Sequence, residues 1–260
     1  MKSFFDIKSQ KFDEFYEQNQ KSLNKISWNE IDSKAAMETF SELFDLDSEF
    51  NPNEINEDNT ILLEAITTGR LEWVEFLVRK GADVNFGHKE GGYPLEIAAG
   101  MALKEIYDYL EPLTDIEIKH FIFISFTVNH EHKPLQTLID SSIDVDSPRE
   151  NGNGRTPLII AVQQGDEKMV KMLLQAGANP NLKDDVSGTT PLISAVKGQY
   201  LYLTRLLLDN RADVNISDIN GDTAFEIALN LRNEKQLSYK KKLRNEKIID
   251  LLIKKKIPNL

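Results

Sequence analysis

Gly154-Arg155-Thr156-Pro157-Leu158-Ile159-Ile160-Ala161 and Gly188-Thr189-Thr190-Pro191-Leu192-Ile193-Ser194-Ala195 are two versions of one phrase. Each leads into a helical stretch. The first closes on Ala176-Gly177-Ala178-Asn179-Pro180-Asn181, the second on Arg211-Ala212-Asp213-Val214-Asn215. From Ala161 to Asn181, and again from Ala195 to Asn215, is twenty residues. Two phrases held at a fixed spacing and repeated about every 34 residues mark a stack of similar units, in which each unit packs only on its neighbours.

The pattern extends in both directions. Thr60-Ile61-Leu62-Leu63-Glu64-Ala65 and Gly81-Ala82-Asp83-Val84-Asn85 carry the same twenty-residue spacing. A further unit begins at Tyr93-Pro94-Leu95-Glu96-Ile97-Ala98, but its second helix, near 102–110, runs into Glu111-Pro112 with no closing phrase, so its loop looks truncated. Leu71–Asn85 aligns without gaps on His132–Asp146. That places a degenerate unit between, with Phe121 at the position of Thr60 and Phe121–Phe126 as its first helix. The last unit starts at Thr223, and about twelve extra residues near 233–244 lengthen its hairpin or loop. Unit starts therefore fall near 60, 93, 121, 156, 190 and 223 within an array spanning 58–260. Residues 1–57 predict amphipathic helices over 9–26 and 33–46. Phe50-Asn51-Pro52-Asn53 echoes Ala178-Asn179-Pro180-Asn181, so this segment reads as a cap or diverged repeat; a separate helical domain is the alternative.

Local chemistry explains the repeated letters. A Thr at the start of a helix accepts a hydrogen bond from an otherwise unpaired amide, and Pro is tolerated in the next position because its missing N–H is not needed there. Gly81 and Gly177 stand where the second helix ends, a site that favours left-handed backbone. Asp83, Asn179 and Asp213 are placed to bond their own backbone and fix the turn that follows.

The Thr-Pro-Leu-x-x-Ala phrase, followed by Gly-Ala-Asn-Pro-Asn or Ala-Asp-Val-Asn, resembles the ankyrin repeat. The resemblance implies an all-α solenoid of stacked helix-turn-helix units with finger loops and helical end caps. It also implies a non-enzymatic scaffold that binds a partner protein on its concave face. Carried over position by position, that face takes in Asn56, Phe86, Lys89, Glu90, Arg155, Gln163, Gln164, Val186, Lys197, Ile219 and Asp222. Phe86, Val186 and Ile219 are its apolar anchor candidates. Family members often carry His after Thr-Pro-Leu, where it links neighbouring units. Here those positions hold Leu63, Glu96, Ile159, Ile193 and Glu226, which predicts weaker polar cross-linking.

Composition sets limits on other functions. There is no cysteine, so disulfides, thiolate metal sites and cysteine nucleophiles are excluded. The N-terminus lacks a signal-peptide core, and no apolar run is long enough to span a bilayer; a monomeric cytoplasmic protein is expected, a secreted effector being the alternative. The net charge of −11 is unevenly spread: −7 over residues 1–57 and +7 over 232–260. An acidic body argues against nucleic acid and would suit a basic partner, so an inhibitor or immunity protein masking a toxin or nuclease is the second functional reading.

Catalytic signatures are missing. No glycine-rich phosphate loop and no nucleophile–base pair is readable, so no enzyme, small-molecule substrate, cofactor or metal is expected. His130-Glu131-His132 is the nearest approach to a metal site, but it lacks an evident third ligand and reads as a solvated turn. Asp184-Asp185 and the acids from Asp218 to Asp222 read as solvated loop carboxylates. The lysines at 240–242 and 254–256 read as a solvated basic face drawn to the acidic body rather than a contact to membrane or nucleic acid.

Overall fold

The structure is a computed structural model describing residues 53, 55–56, 59–67, 69–87, 92–148, 153–233 and 238–256. The helices expected over 9–26 and 33–46 lie outside the described residues. The chain divides into two compact bodies, Met1–Thr114 and Asp115–Leu260. Among the described residues, each is built mainly of helix pairs.

In the first body a two-residue antiparallel pair, β1 (Ile55–Asn56) and β2 (Asn59–Thr60), leads directly into α1 (Ile61–Thr67). Then follow α2 (Leu71–Arg79), α3 (Pro94–Gly100) and α4 (Lys104–Leu110). First helices pack on first helices, α1 on α3, and second helices on second, α2 on α4. Leu62, Ile66, Val74, Leu95, Ala98, Ile106 and Leu110 fill the space between them. Pro112 has no N–H to continue α4, and the chain tightens into a 3-10 turn over Glu111–Leu113.

The second body repeats this layering with four pairs: α5 (Ile116–Val128) and α6 (His132–Asp140), α7 (Pro157–Gln164) and α8 (Glu167–Gln175), α9 (Pro191–Lys197) and α10 (Leu201–Asp209), α11 (Ala224–Asn233) and α12 (Tyr239–Lys256). α5, α7, α9 and α11 form one layer; α6, α8, α10 and α12 form the other. The inner helix α7 is buried from Pro157 through Val162, as expected for a short helix with neighbours on both sides and its own partner behind. α8 is two-faced: Met169, Val170 and Leu173 are buried while Glu167, Lys168 and Lys171 face water.

The repeated residues act as their chemistry requires. Thr156 Oγ1 accepts from Ile159 N at 3.3 Å, Thr190 Oγ1 from Ile193 N at 3.2 Å, and Thr60 Oγ1 from Leu63 N at 3.4 Å. Each cap is worth about 1 kcal/mol. Gly81 and Gly177 take φ of 91° and 94° at the end of their second helices. The two units without glycine there force Ser142 and Arg211 into the same left-handed region, at 63° and 68°.

The degenerate unit departs from expectation. Its first helix starts at Ile116, five residues before Phe121, and runs for thirteen residues where α7 and α9 run for eight and seven. With no Thr-Pro at Phe121 to stop it, the helix extends back to Asp115, and Phe121 lies mid-helix, 52% exposed. The alignment beyond it is reflected in the backbone: His130, at the position of Gly69, has a φ of 61° against 72°.

Two of the positions where family members carry histidine serve their own helix instead of a neighbouring unit. Glu226 turns back to accept from Thr223 N at 3.0 Å, and Glu96 accepts from Gly92 N at 3.0 Å, so each closes the start of its own helix. Links between units come instead from the loop ends. Asn181 Oδ1 accepts from Asp213 N at 2.7 Å and its Nδ2 donates to Arg211 O at 3.2 Å. Asn53 does the same for the next unit along, accepting from Asp83 N at 2.7 Å and donating to Gly81 O at 3.0 Å. The Asn-Pro-Asn echo at the two places therefore has one physical meaning: a side-chain amide that pins the following turn.

Candidate functional site: the finger edge

The loops between units, the fingers, are held by the turn chemistry of aspartate. Asp184 is 5% exposed and accepts from Val186 N, Ser187 N, Ser187 Oγ and Thr189 N at 2.6–3.0 Å. Burial pushes its pKa up, but these donors, led by Ser187, outweigh it and hold the carboxyl below its ordinary value. Asp218 is 7% exposed and accepts from Asn220 N at 2.9 Å and Asp222 N at 3.2 Å. The expectation of solvated carboxylates is thus corrected at both positions, because the finger wraps around the acid and its amides replace water. Asp185 does face solvent.

Adjacent fingers of the second body are tied backbone to backbone. Asp185 N donates to Asn153 O at 2.9 Å, and Ile219 N donates to Ser187 O at 3.0 Å. Gly188, at φ 63°, allows this approach: a Cβ there would meet Ile219 N at 3.0 Å. The ties leave Val186 and Ile219 pointing outward on neighbouring tips, 59% and 68% exposed. These aliphatic groups are presented to water on a fixed frame.

The other residues expected at this face are placed differently. Arg155 and Gln163 are exposed. Gln164 is exposed yet engaged, donating to Val128 O at 2.8 Å. Lys197 reaches the next finger, 3.3 Å from buried Asp218 Oδ2, so it helps hold the frame. Asp222 is half-buried within its finger. In the first body Phe86 is 38% exposed at the base of its finger, and Asn56 lies in β1. Lys89 and Glu90 lie outside the described residues.

The histidine turn also needs correcting. His130 Nδ1 lies 2.8 Å from Asp166 Oδ2, and His132 Nε2 lies 3.0 Å from both Asp166 oxygens. Asp166 caps α8 as well, accepting from Met169 N at 2.9 Å. Against the upward push of burial, Met169 N and the two imidazoles bring its pKa down to about 2. The turn is therefore a clasp between two units rather than a solvated loop. Among the described residues no group of three His, Cys, Asp or Glu side chains is arranged to hold a metal ion.

With this geometry in view, the chain can be set beside known proteins. The family model described as Ankyrin repeat matches residues 57–89 and 153–185, and that described as Ankyrin repeats (many copies) matches 185–228. The matched units are ankyrin repeats. Residues 90–152, which include the truncated and degenerate units, lie outside those matches. The chain is 31% identical over 137 residues to dynein axonemal heavy chain 12 of Bos taurus, covering 48% of this chain and 38% of that one. It is 30% identical over 139 residues to an ankyrin repeat protein of Fowlpox virus, covering 52% and 31%. It is 33% identical over 130 residues to a palmitoyltransferase of Lachancea kluyveri, covering 46% and 17%. The chain thus spans less than two-fifths of the length of these relatives. Ankyrin repeats are generally protein–protein interaction modules. No helix among the described residues is long and apolar enough to cross a membrane.

Proposed function

We propose that the chain is a non-enzymatic binding protein whose second body recognises a partner protein along its finger edge. The observation carrying this reading is the pair Val186 and Ile219. Two aliphatic side chains more than half exposed cost solvation without contributing to the core. The Ile219–Ser187 tie fixes their spacing before any partner arrives, which lowers the ordering cost of binding. Arg155 and Gln163 supply the polar rim, and Lys197 and Asp218 set the frame behind it. The test is capture of partner from lysate of the native cell by the wild-type chain and by a V186S/I219S variant. The double variant is expected to capture at least about tenfold less, because a few apolar groups usually dominate such an interface, with its thermal melting unchanged. Equal capture would remove the finger edge from the interface.

A further inference from the structure

The last helix, α12, is eighteen residues long, twice the nine of α6, α8 and α10. All of its buried positions, Asn245, Ile248, Ile249 and Leu252, lie past its first six residues. The lysines at its far end are used within the protein. Lys255 Nζ is 3.2 Å from Leu208 O and 3.6 Å from Asp209, and Lys256 lies 5.4 Å from the centre of the Phe225 ring.

The beginning of the helix is different. Lys240, Lys241 and Arg244 are exposed and Lys242 is half-buried, and none forms an ion pair with the described residues. Tyr239 and Leu243 stand among them, 82% and 48% exposed. At about 100° per residue, Tyr239 and Leu243 share one stripe of the helix, opposite its buried face. Lys242 flanks that stripe on one side; Lys240, Arg244 and Lys247 flank it on the other. The same stripe continues into Glu246 and Asp250, which confines any anionic contact to the first two turns.

We propose that this overhang, Tyr239–Arg244, is a peripheral docking surface for an anionic phospholipid bilayer. Charge complementarity points to an anionic ligand, because Lys240, Lys242 and Arg244 flank the stripe with no ion pair among the described residues, on a chain whose net charge is −11. The apolar stripe selects lipid among anions: Leu243 leaves water on entering the headgroup–acyl boundary, and a tyrosine is at home there with its ring buried and its hydroxyl wet. A nucleic acid would use the same cations but would offer Leu243 nothing. This surface is separate from the finger edge and does not depend on it.

The experiment is co-sedimentation of the full chain with phosphatidylcholine vesicles, with and without phosphatidylserine, alongside titration of a labelled single-stranded oligonucleotide. Binding is expected only to the phosphatidylserine vesicles, weakening as salt rises. K240Q/R244Q is expected to lower the affinity about twenty-five-fold, from about fivefold per cation near an anionic surface. L243S, which leaves the charge alone, should lower it about tenfold through lost apolar transfer. L243W should show a blue-shifted emission on phosphatidylserine vesicles. All of these positions are exposed, and circular dichroism should confirm unchanged helicity. Three results would each overturn the proposal: no sedimentation with phosphatidylserine, an L243S variant that binds like wild type, or tighter binding to the oligonucleotide than to the vesicles.

Discussion

The units built on Thr156 and Thr190 and the one built on α5 and α6 belong to the same body but hold their shape by different means. In the first two, local signals do most of the work: a threonine cap, a proline in the first turn, and short inner helices buried on all sides. In the other unit those signals are gone, and contacts at long sequence separation replace them. His130 and His132 meet Asp166, and Gln164 reaches Val128 O. A degenerate repeat is therefore not a loose one. In a stack, neighbours can supply what the unit's own sequence has lost.

The strongest way to break this comparison is to empty both cores. Phe123 in α5 and Leu192 in α9 are each 1% exposed. Phe123→Ala is expected to destabilise by about 3–5 kcal/mol and Leu192→Ala by about 2–5 kcal/mol, read from urea midpoints. A loss under about 1 kcal/mol at Phe123 would mean that the degenerate unit is poorly packed after all.

The next effect concerns the clasp. Asp166→Asn keeps a side chain able to cap α8 but removes the charge facing the two histidines. A carboxyl whose folded pKa lies near 2 rather than 3.8 contributes stability above its unfolded value and loses it as pH falls through the folded one. The contribution is on the order of 2 kcal/mol at neutral pH. The gap between wild type and Asp166→Asn in thermal or urea unfolding should therefore be full at pH 7 and narrow progressively between about pH 4 and pH 2. A gap that does not change with acid would show that the clasp acts by shape alone.

Smaller still is the cap. Thr156→Ala should cost about 1 kcal/mol. Phe121, which alignment puts at the same position, lies inside α5, where Phe121→Ala at a half-exposed site should stay within about 0.5 kcal/mol. A similar loss at both would put a helix start back at Phe121.

Much of this was readable before any coordinates, and the division has a physical cause. Threonine caps, the left-handed turn at Gly81 and Gly177 and the Asn-Pro-Asn echo depend on residues within a few positions of one another, so their spacing shows them directly. Glu226 is equally readable, since Thr223 and Glu226 have the spacing of a capping box. The histidine clasp was not readable, because its carboxylate lies more than thirty residues away. Nor was the burial of Asp184 and Asp218, where an acid in a polar loop looks solvated until the amides around it are placed. At the finger edge, exposure of Val186 and Ile219 followed from their position, whereas the engagement of Lys197 by Asp218 needed the neighbouring finger.

The finest test lies at the end of the second helices, where the two kinds of unit meet the same backbone demand with different residues. Gly177 meets it with a glycine at φ 94°, whereas the degenerate unit places Ser142 at 63° and the last turn before Ile216 places Arg211 at 68°. Left-handed backbone costs a non-glycine residue about 1–2 kcal/mol, and a glycine gives back about 0.5–1 kcal/mol through the greater freedom of the unfolded chain. Ser142→Gly is thus expected to raise stability by about 0.5 kcal/mol, and Arg211→Gly by a similar amount, since Asn181 bonds the carbonyl of Arg211 and not its side chain. Differential scanning calorimetry would read these gains as small upward shifts in Tm. Were Ser142→Gly to destabilise while Arg211→Gly stabilised, the serine would have to be supporting the degenerate turn through its own hydroxyl, and that unit would hold one more compensating contact than the backbone alone reveals.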